Sequence, residues 1–235
     1  MRRHGVRCLL MGGQACVFYG AAEFSRDTDL AILTSPPNLD RFRAALADLR
    51  AERIAVPPFE ASYLERGHAV HFRCHHPDAD GMRIDIMSVM RGVAPFDQLW
   101  DRRTAIEVAG GESYDLLSLG DLVQAKKTQR DRDWPMLRRL VEVHYLANRE
   151  APTPERIDFW LRELRTPALL AEVASMHPAR AGELSTEREA LVAACSGSID
   201  AIAEELASEE RRERNADRAY WEPLRRELEA LRHQR

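Results

Sequence analysis

The chain predicts a mixed α/β architecture: a small mixed-sheet domain followed by an all-helical C-terminal domain. Three observations predict it. Short apolar runs alternate with stretches of helical period through the first third of the chain. Residues 68–89 alternate apolar and polar side chains around a turn, the pattern of a hairpin. After about residue 115 the patterned stretches all have helical spacing, and the last of them is rich in Glu, Arg, Ala and Leu. A length of 235 residues allows one large domain or two small ones. The change of character divides them into 1–115 and 116–235.

The elements follow in order. Cys8 to Met11 is a short apolar strand that runs into the Gly12-Gly13 turn. Gln14 to Ala22 has Ala15, Phe18 and Tyr19 on one side and predicts a helix. Asp27 to Leu33 is the next strand. The loop Thr34 to Asn38 ends in a good N-cap residue, and Leu39, Phe42, Leu46 and Leu49 then recur at helical spacing over 39–51. In the hairpin, Val70, Phe72 and Cys74 oppose His71 and Arg73, residues 77–81 turn, and Met82 to Val89 returns. Residues 119–129 and 133–148 are helical in pattern. Thr153, with proline behind it, caps a further helix. Ser198 to Arg235 reads as one long helix, or two with a break near Pro223.

Bulk properties exclude some classes. A net charge of −4 and a pI near 6.1 give no global basic field for non-specific nucleic-acid binding. No apolar run approaches the roughly 20 residues of a membrane span. Met1-Arg2-Arg3-His4-Gly5 has no long apolar run behind it, so no signal peptide is expected. The four cysteines show no paired spacing and read as buried thiols, with cytoplasmic residence as the expectation.

The chemistry concentrates in two glycines and three acids. Gly12-Gly13 is followed, after thirteen residues, by Asp27-Thr28-Asp29, and Asp85 lies between Ile84 and Ile86 further on. Residues two apart on a strand share a face, so Asp27 and Asp29 point together. With Asp85 on a neighbouring strand, three carboxylates converge, and such a cluster repels itself unless a cation sits in it. Mg²⁺ prefers carboxylate oxygens together with substrate phosphates. A glycine turn entering a helix lets a phosphate approach backbone N–H groups. Each piece has a plainer alternative: a tight turn without ligand, two solvent-facing acids at the start of a strand, and an ordinary acid on a solvent face.

The order of these pieces resembles the nucleotidyltransferase superfamily with the DNA polymerase β-like fold. Met11-Gly12-Gly13, the thirteen-residue gap, Asp27 to Leu33 and Ile84-Asp85-Ile86 carry the resemblance. It resumes at Leu117 to Lys127 and ends with Arg130-Asp131-Arg132-Asp133, covering roughly residues 7–145. The flavour is that of bacterial minimal nucleotidyltransferases and of toxin–antitoxin or abortive-infection enzymes. The resemblance implies two Mg²⁺ ions held by Asp27, Asp29 and Asp85, and an NTP such as ATP as substrate. It implies phosphates held at Gly12 and Gly13, and Lys126 or Lys127 neutralising the departing pyrophosphate. Asp85 becomes the base or second-metal ligand. The acceptor stays open between a small molecule, tRNA and a protein side chain. A non-catalytic nucleotide- or partner-binding module on the same fold is the alternative function.

Some alternatives remain. Thr28 stands where the family has an apolar residue. A rival register makes Asp29 the first acid and Ala31 the second position, which implies a broken metal site. Lys126 and Lys127 equally suit a solvated helix face. His68, His71, Cys74, His75 and His76 invite a zinc site but fall on opposite strand faces and do not converge. His71 and Arg73 are better placed on a hairpin face shared with Asp85. The charged tail, 204–214 and 225–235, reads as a solvated helix face with i,i+4 pairs, and a protein partner on the C-terminal helices is the minority reading.

Overall fold

A computed structural model describes residues 1–233. Strands β1 (Cys8–Met11), β2 (Asp27–Ile32), β3 (Glu52–Arg53), β4 (Val70–Arg73), β5 (Arg83–Met87), β6 (Thr104–Glu107) and β7 (Ser113–Leu116) form one mixed sheet. Among the described residues its seven strands run in the order β3-β4-β5-β2-β1-β7-β6. The β2–β5 and β1–β7 pairs are parallel and the others antiparallel. The short helices are α1 (Gly12–Phe18), α2 (Pro36–Asp48), α3 (Ala61–Glu65), α4 (Phe96–Asp101) and α5 (Leu119–Ala125). The rest is helical: α6 (Asp133–Asn148), α7 (Pro154–Glu163), α8 (Pro167–Met176), α9 (Pro178–Leu184), α10 (Glu189–Ser196) and α11 (Ile199–His233). No helix among the described residues is long and apolar enough to cross a membrane.

The chain forms two compact units. One comprises residues 1–18, 22–125 and 219–235, and the other 19–21 and 126–218. The sheet-bearing unit therefore continues through α5 and takes back the end of α11. In this unit the period of two along each strand sorts the side chains. Leu30, Ile32, Val70, Phe72, Ile84 and Ile86 face α2, where Leu39, Phe42, Ala45 and Leu46 complete a buried core. Phe42, Phe59 and Phe72 meet edge-on with centroids 5.4–6.1 Å apart, the arrangement that aromatic quadrupoles favour. The alternate positions of the same strands carry the charged residues.

Several local expectations need correction. Helix α2 begins at Pro36, not after Asn38, because two prolines suit the first turn, where N–H groups have no helical partner. Asn38 is buried and clamps rather than caps. Its Nδ2 donates to the carbonyls of Arg7 (3.0 Å) and Leu33 (2.8 Å), and its Oδ1 accepts from the Arg7 N–H (2.7 Å). Helix α1 starts at Gly12 and stops at Phe18, earlier at both ends than the periodicity predicts. Cys195 is exposed, although Cys16 and Cys74 are buried. Helix α11 runs through Pro223 without a break.

The charged tail is only partly a solvated face. Pairs such as Arg226–Glu222 and Arg225–Glu229 are of the expected i,i+4 kind. In the sheet-bearing unit, however, Glu227 accepts from Arg66 (2.6 Å) and contacts the fully buried His68 (2.7 Å), and Leu224 is buried. A Cβ at Gly67 would lie 2.4 Å from the Tyr220 hydroxyl, so this stretch of α11 packs closely there. These contacts hold the helix on both sides of Pro223. In the helical unit, Glu209 is paired with buried Arg165 (3.2 Å) and Arg188 (3.1 Å), and the Arg188 guanidinium also donates to the carbonyls of Leu161 and Leu164. The buried Arg188 is satisfied in this way, as a buried cation requires. The Thr153 cap is as expected, accepting the Arg156 N–H at 3.3 Å.

Candidate active site: a carboxylate face on the sheet

Three strand registers build the site. Asp29 stands opposite Met11 on β1 and opposite Asp85 on β5. Asp27, two residues earlier, stands opposite Arg83. Across the hairpin, Asp85 faces His71 and Arg83 faces Arg73. Paired residues share a face, so Asp27, Asp29, Arg83, Asp85, His71 and Arg73 all lie on one side of the sheet. The sheet thus brings the three predicted acids to adjacent positions.

The glycines adjoin this face. A Cβ at Gly12 would fall 1.9 Å from Oδ2 of Asp29, and Gly12 also has a φ of +63°. A Cβ at Gly13 would fall 2.4 Å from the Ser25 hydroxyl. Neither position has room for a side chain, and at Gly12 the backbone conformation disfavours one as well. The close approach of Asp29 is a reason for Gly12 that does not depend on any phosphate.

Basic groups already engage Asp85. Its Oδ1 accepts from Nε of Arg83 at 2.8 Å and lies 2.8 Å from Nδ1 of His71. Burial would raise the Asp85 carboxyl, but these two hydrogen bonds outweigh it and hold the group below its usual range. The Arg83 guanidinium is pushed further toward the charged form, first by its hydrogen bond to Asp85 and then by the charges of Asp85, Asp27 and Asp29. Nη2 of Arg83 lies 3.1 Å from the same His71 nitrogen. A single ring nitrogen facing both an acceptor and a donor satisfies one of them. Protonated, it donates to Asp85; bare, it accepts from Arg83.

Lys126 and Lys127 belong to the helical unit and are engaged within it. Nζ of Lys126 lies 3.0 Å from Oδ1 of Asp133, and Nζ of Lys127 lies 2.9 Å from Oε1 of Glu163. Asp133 also accepts from Thr128 (2.6 Å) and pairs with Arg130 (3.2 Å). Arg73 is exposed, whereas His71 makes the contact to Asp85. A residue of the site that the sequence analysis did not single out is Arg83. Its signal was the spacing: two before Asp85 on one strand puts it on the same face.

Among the described residues no group of three or more His, Cys, Asp or Glu side chains is gathered closely enough to hold a metal ion. The donor chemistry and backbone placement still suit a hard divalent cation, since three carboxylates occupy neighbouring positions on one face. In this arrangement the Arg83 guanidinium supplies the positive charge that the carboxylates need. No protein-family model matches the chain, and comparison with curated proteins finds no match.

Proposed function

We propose that the sheet-bearing unit is a Mg²⁺-dependent nucleotidyltransferase that moves a nucleoside monophosphate from an NTP to a hydroxyl, phosphate or amine of an acceptor. The observation that carries this reading is the register that sets Asp29 opposite Asp85, with Asp27 two residues along on the same face. Asp27, Asp29 and Asp85 would hold the cation, which when bound neutralises triphosphate charge and makes an acceptor hydroxyl more acidic. Gly12 keeps the chain close beneath Asp29, and Gly13 keeps it close to Ser25. A carboxylate held below its usual range is a weak base, so the environment of Asp85 suits a ligand or an orienting group better than a proton acceptor. Nδ1 of His71 lies 2.8 Å from this carboxylate and helps to orient it. Lys126 and Lys127 enter this reading only through the resemblance, since each is paired inside the helical unit.

The test is transfer of label from each α-labelled NTP with Mg²⁺, in the presence of tRNA or cell extract, by the wild type and by Asp29→Asn. A labelled product that needs both Mg²⁺ and Asp29 supports the reading. One observation favours a second reading, a non-catalytic nucleotide- or partner-binding module: Asp85 is already paired with Arg83 and hydrogen-bonded to His71. Nucleotide binding without transfer to any acceptor supports that alternative.

A further inference from the structure

Three carboxylates at adjacent positions on one sheet face would repel one another in the absence of a cation. The chain supplies one. Arg83 lies two residues before Asp85 on β5, so both side chains rise on the same face, and the register sets Arg83 beside Asp27. Its Nε donates to Oδ1 of Asp85 at 2.8 Å, and Nη2 reaches to 3.1 Å from Nδ1 of His71. The pairing is accessible: the Arg83 side chain is 39% exposed and that of Asp85 16%. The same face carries three acids, Arg83 and, beyond it on β4, the exposed Arg73.

On the nucleotidyltransferase reading of this face, we infer that Arg83 is a built-in counter-cation which a divalent metal displaces from Asp85, freeing the guanidinium to meet the triphosphate that arrives with the metal. The geometry has two consequences. A metal ion and the guanidinium compete for the same carboxylate oxygen, so the ligand-free face is stabilised at the expense of metal affinity. A guanidinium is well suited to the second role, because its planar fork matches phosphate oxygens as well as carboxylate oxygens. Arg83 thus changes partners, from the Asp85 carboxylate to the incoming phosphates.

The experiment is Mn²⁺ binding without nucleotide, by calorimetry or by electron paramagnetic resonance of free Mn²⁺, comparing the wild type with Arg83→Gln. Removing a competing positive charge a few ångströms from the metal should tighten Mn²⁺ about tenfold or more. Equal or weaker binding by Arg83→Gln overturns the inference and leaves the carboxylate site standing. If neither protein binds Mn²⁺, the metal-site reading itself falls, and this inference with it. A second measurement serves if Arg83→Gln does not fold. In ¹⁵N-labelled wild-type protein, the Arg83 Nε–H resonance, assigned with Arg83→Lys, should shift as Mg²⁺ is added. A resonance unmoved at saturating Mg²⁺ overturns the exchange of partners.

Discussion

Asp85 on the sheet face and Asp133 in the helical unit are both carboxylates held below their usual range by basic neighbours, yet they sit in opposite charge balances. Around Asp133, burial works against the carboxylate, and Lys126, Thr128 and Arg130 together outweigh it. Elsewhere in that unit Arg165, Arg188 and Lys127 stand against Glu163 and Glu209. There the cations match or exceed the acids and most of the groups are buried, as a structural network requires. On the sheet face three acids stand with Arg83 and the exposed Arg73, and the groups stay partly open to solvent. A surplus of negative charge within reach of solvent destabilises a fold that gains nothing from it, so this surplus is where a ligand is expected.

The largest effect should come from breaking the closed network. Arg188→Ala removes a buried guanidinium bonded to Glu209 and to the carbonyls of Leu161 and Leu164. It should cost about 3–5 kcal/mol, read as a lower midpoint in urea. A midpoint close to wild type would mean that the network is not structural. On the open face the corresponding change should spare the fold and remove function. Asp85→Asn should keep a cooperative melt while transfer falls about 10²-fold or more, measured by single-turnover kinetics; a folded variant transferring at the wild-type rate contradicts the proposed role.

Gly12→Ala tests the join between glycine and acid. The added Cβ meets the Asp29 carboxylate at a positive φ, so the variant should lose about 1–3 kcal/mol and bind Mn²⁺ more weakly. Wild-type stability and metal affinity together would show that the approach relaxes without cost. The smallest effect concerns pH. The Asp133 pKa is depressed in the folded state, so its contribution is fully present above the unfolded value of about 3.9. It is lost as pH falls below that value through the folded pKa. Asp133→Asn should therefore flatten the acid limb of the stability profile below about pH 4, followed by thermal melts. An unchanged acid limb would assign the loss of stability to other groups.

Local physics made part of this protein readable from its residues. Reading 27–32 and 83–87 as strands set which side chains share a face, because successive strand residues point to opposite sides. The helix Asp133–Asn148 and the Thr153 cap were likewise legible, since both depend on neighbours in sequence. What tertiary structure decided lies at long sequence separation. Nothing local to Asp29 and Asp85 specifies that their strands pair in parallel with those two residues opposite. Nor does anything local place His71 against Asp85 rather than one residue away, a slip that would turn the ring to the other face. The strand 52–53 is too short for a period to show, 104–107 and 113–116 lack the clear apolar pattern of 8–11 and 70–73, and all three exist through the partners they pair with. Pro223 marks a helix break by its own chemistry, yet α11 stays continuous where Leu224 is buried and Glu227 meets Arg66 and His68. The acids were visible in the sequence, and the spacing puts Arg83 on the same face as Asp85; that Asp27 and Asp29 stand beside this pair was decided by the sheet, because strand pairing is a matter of distance in space.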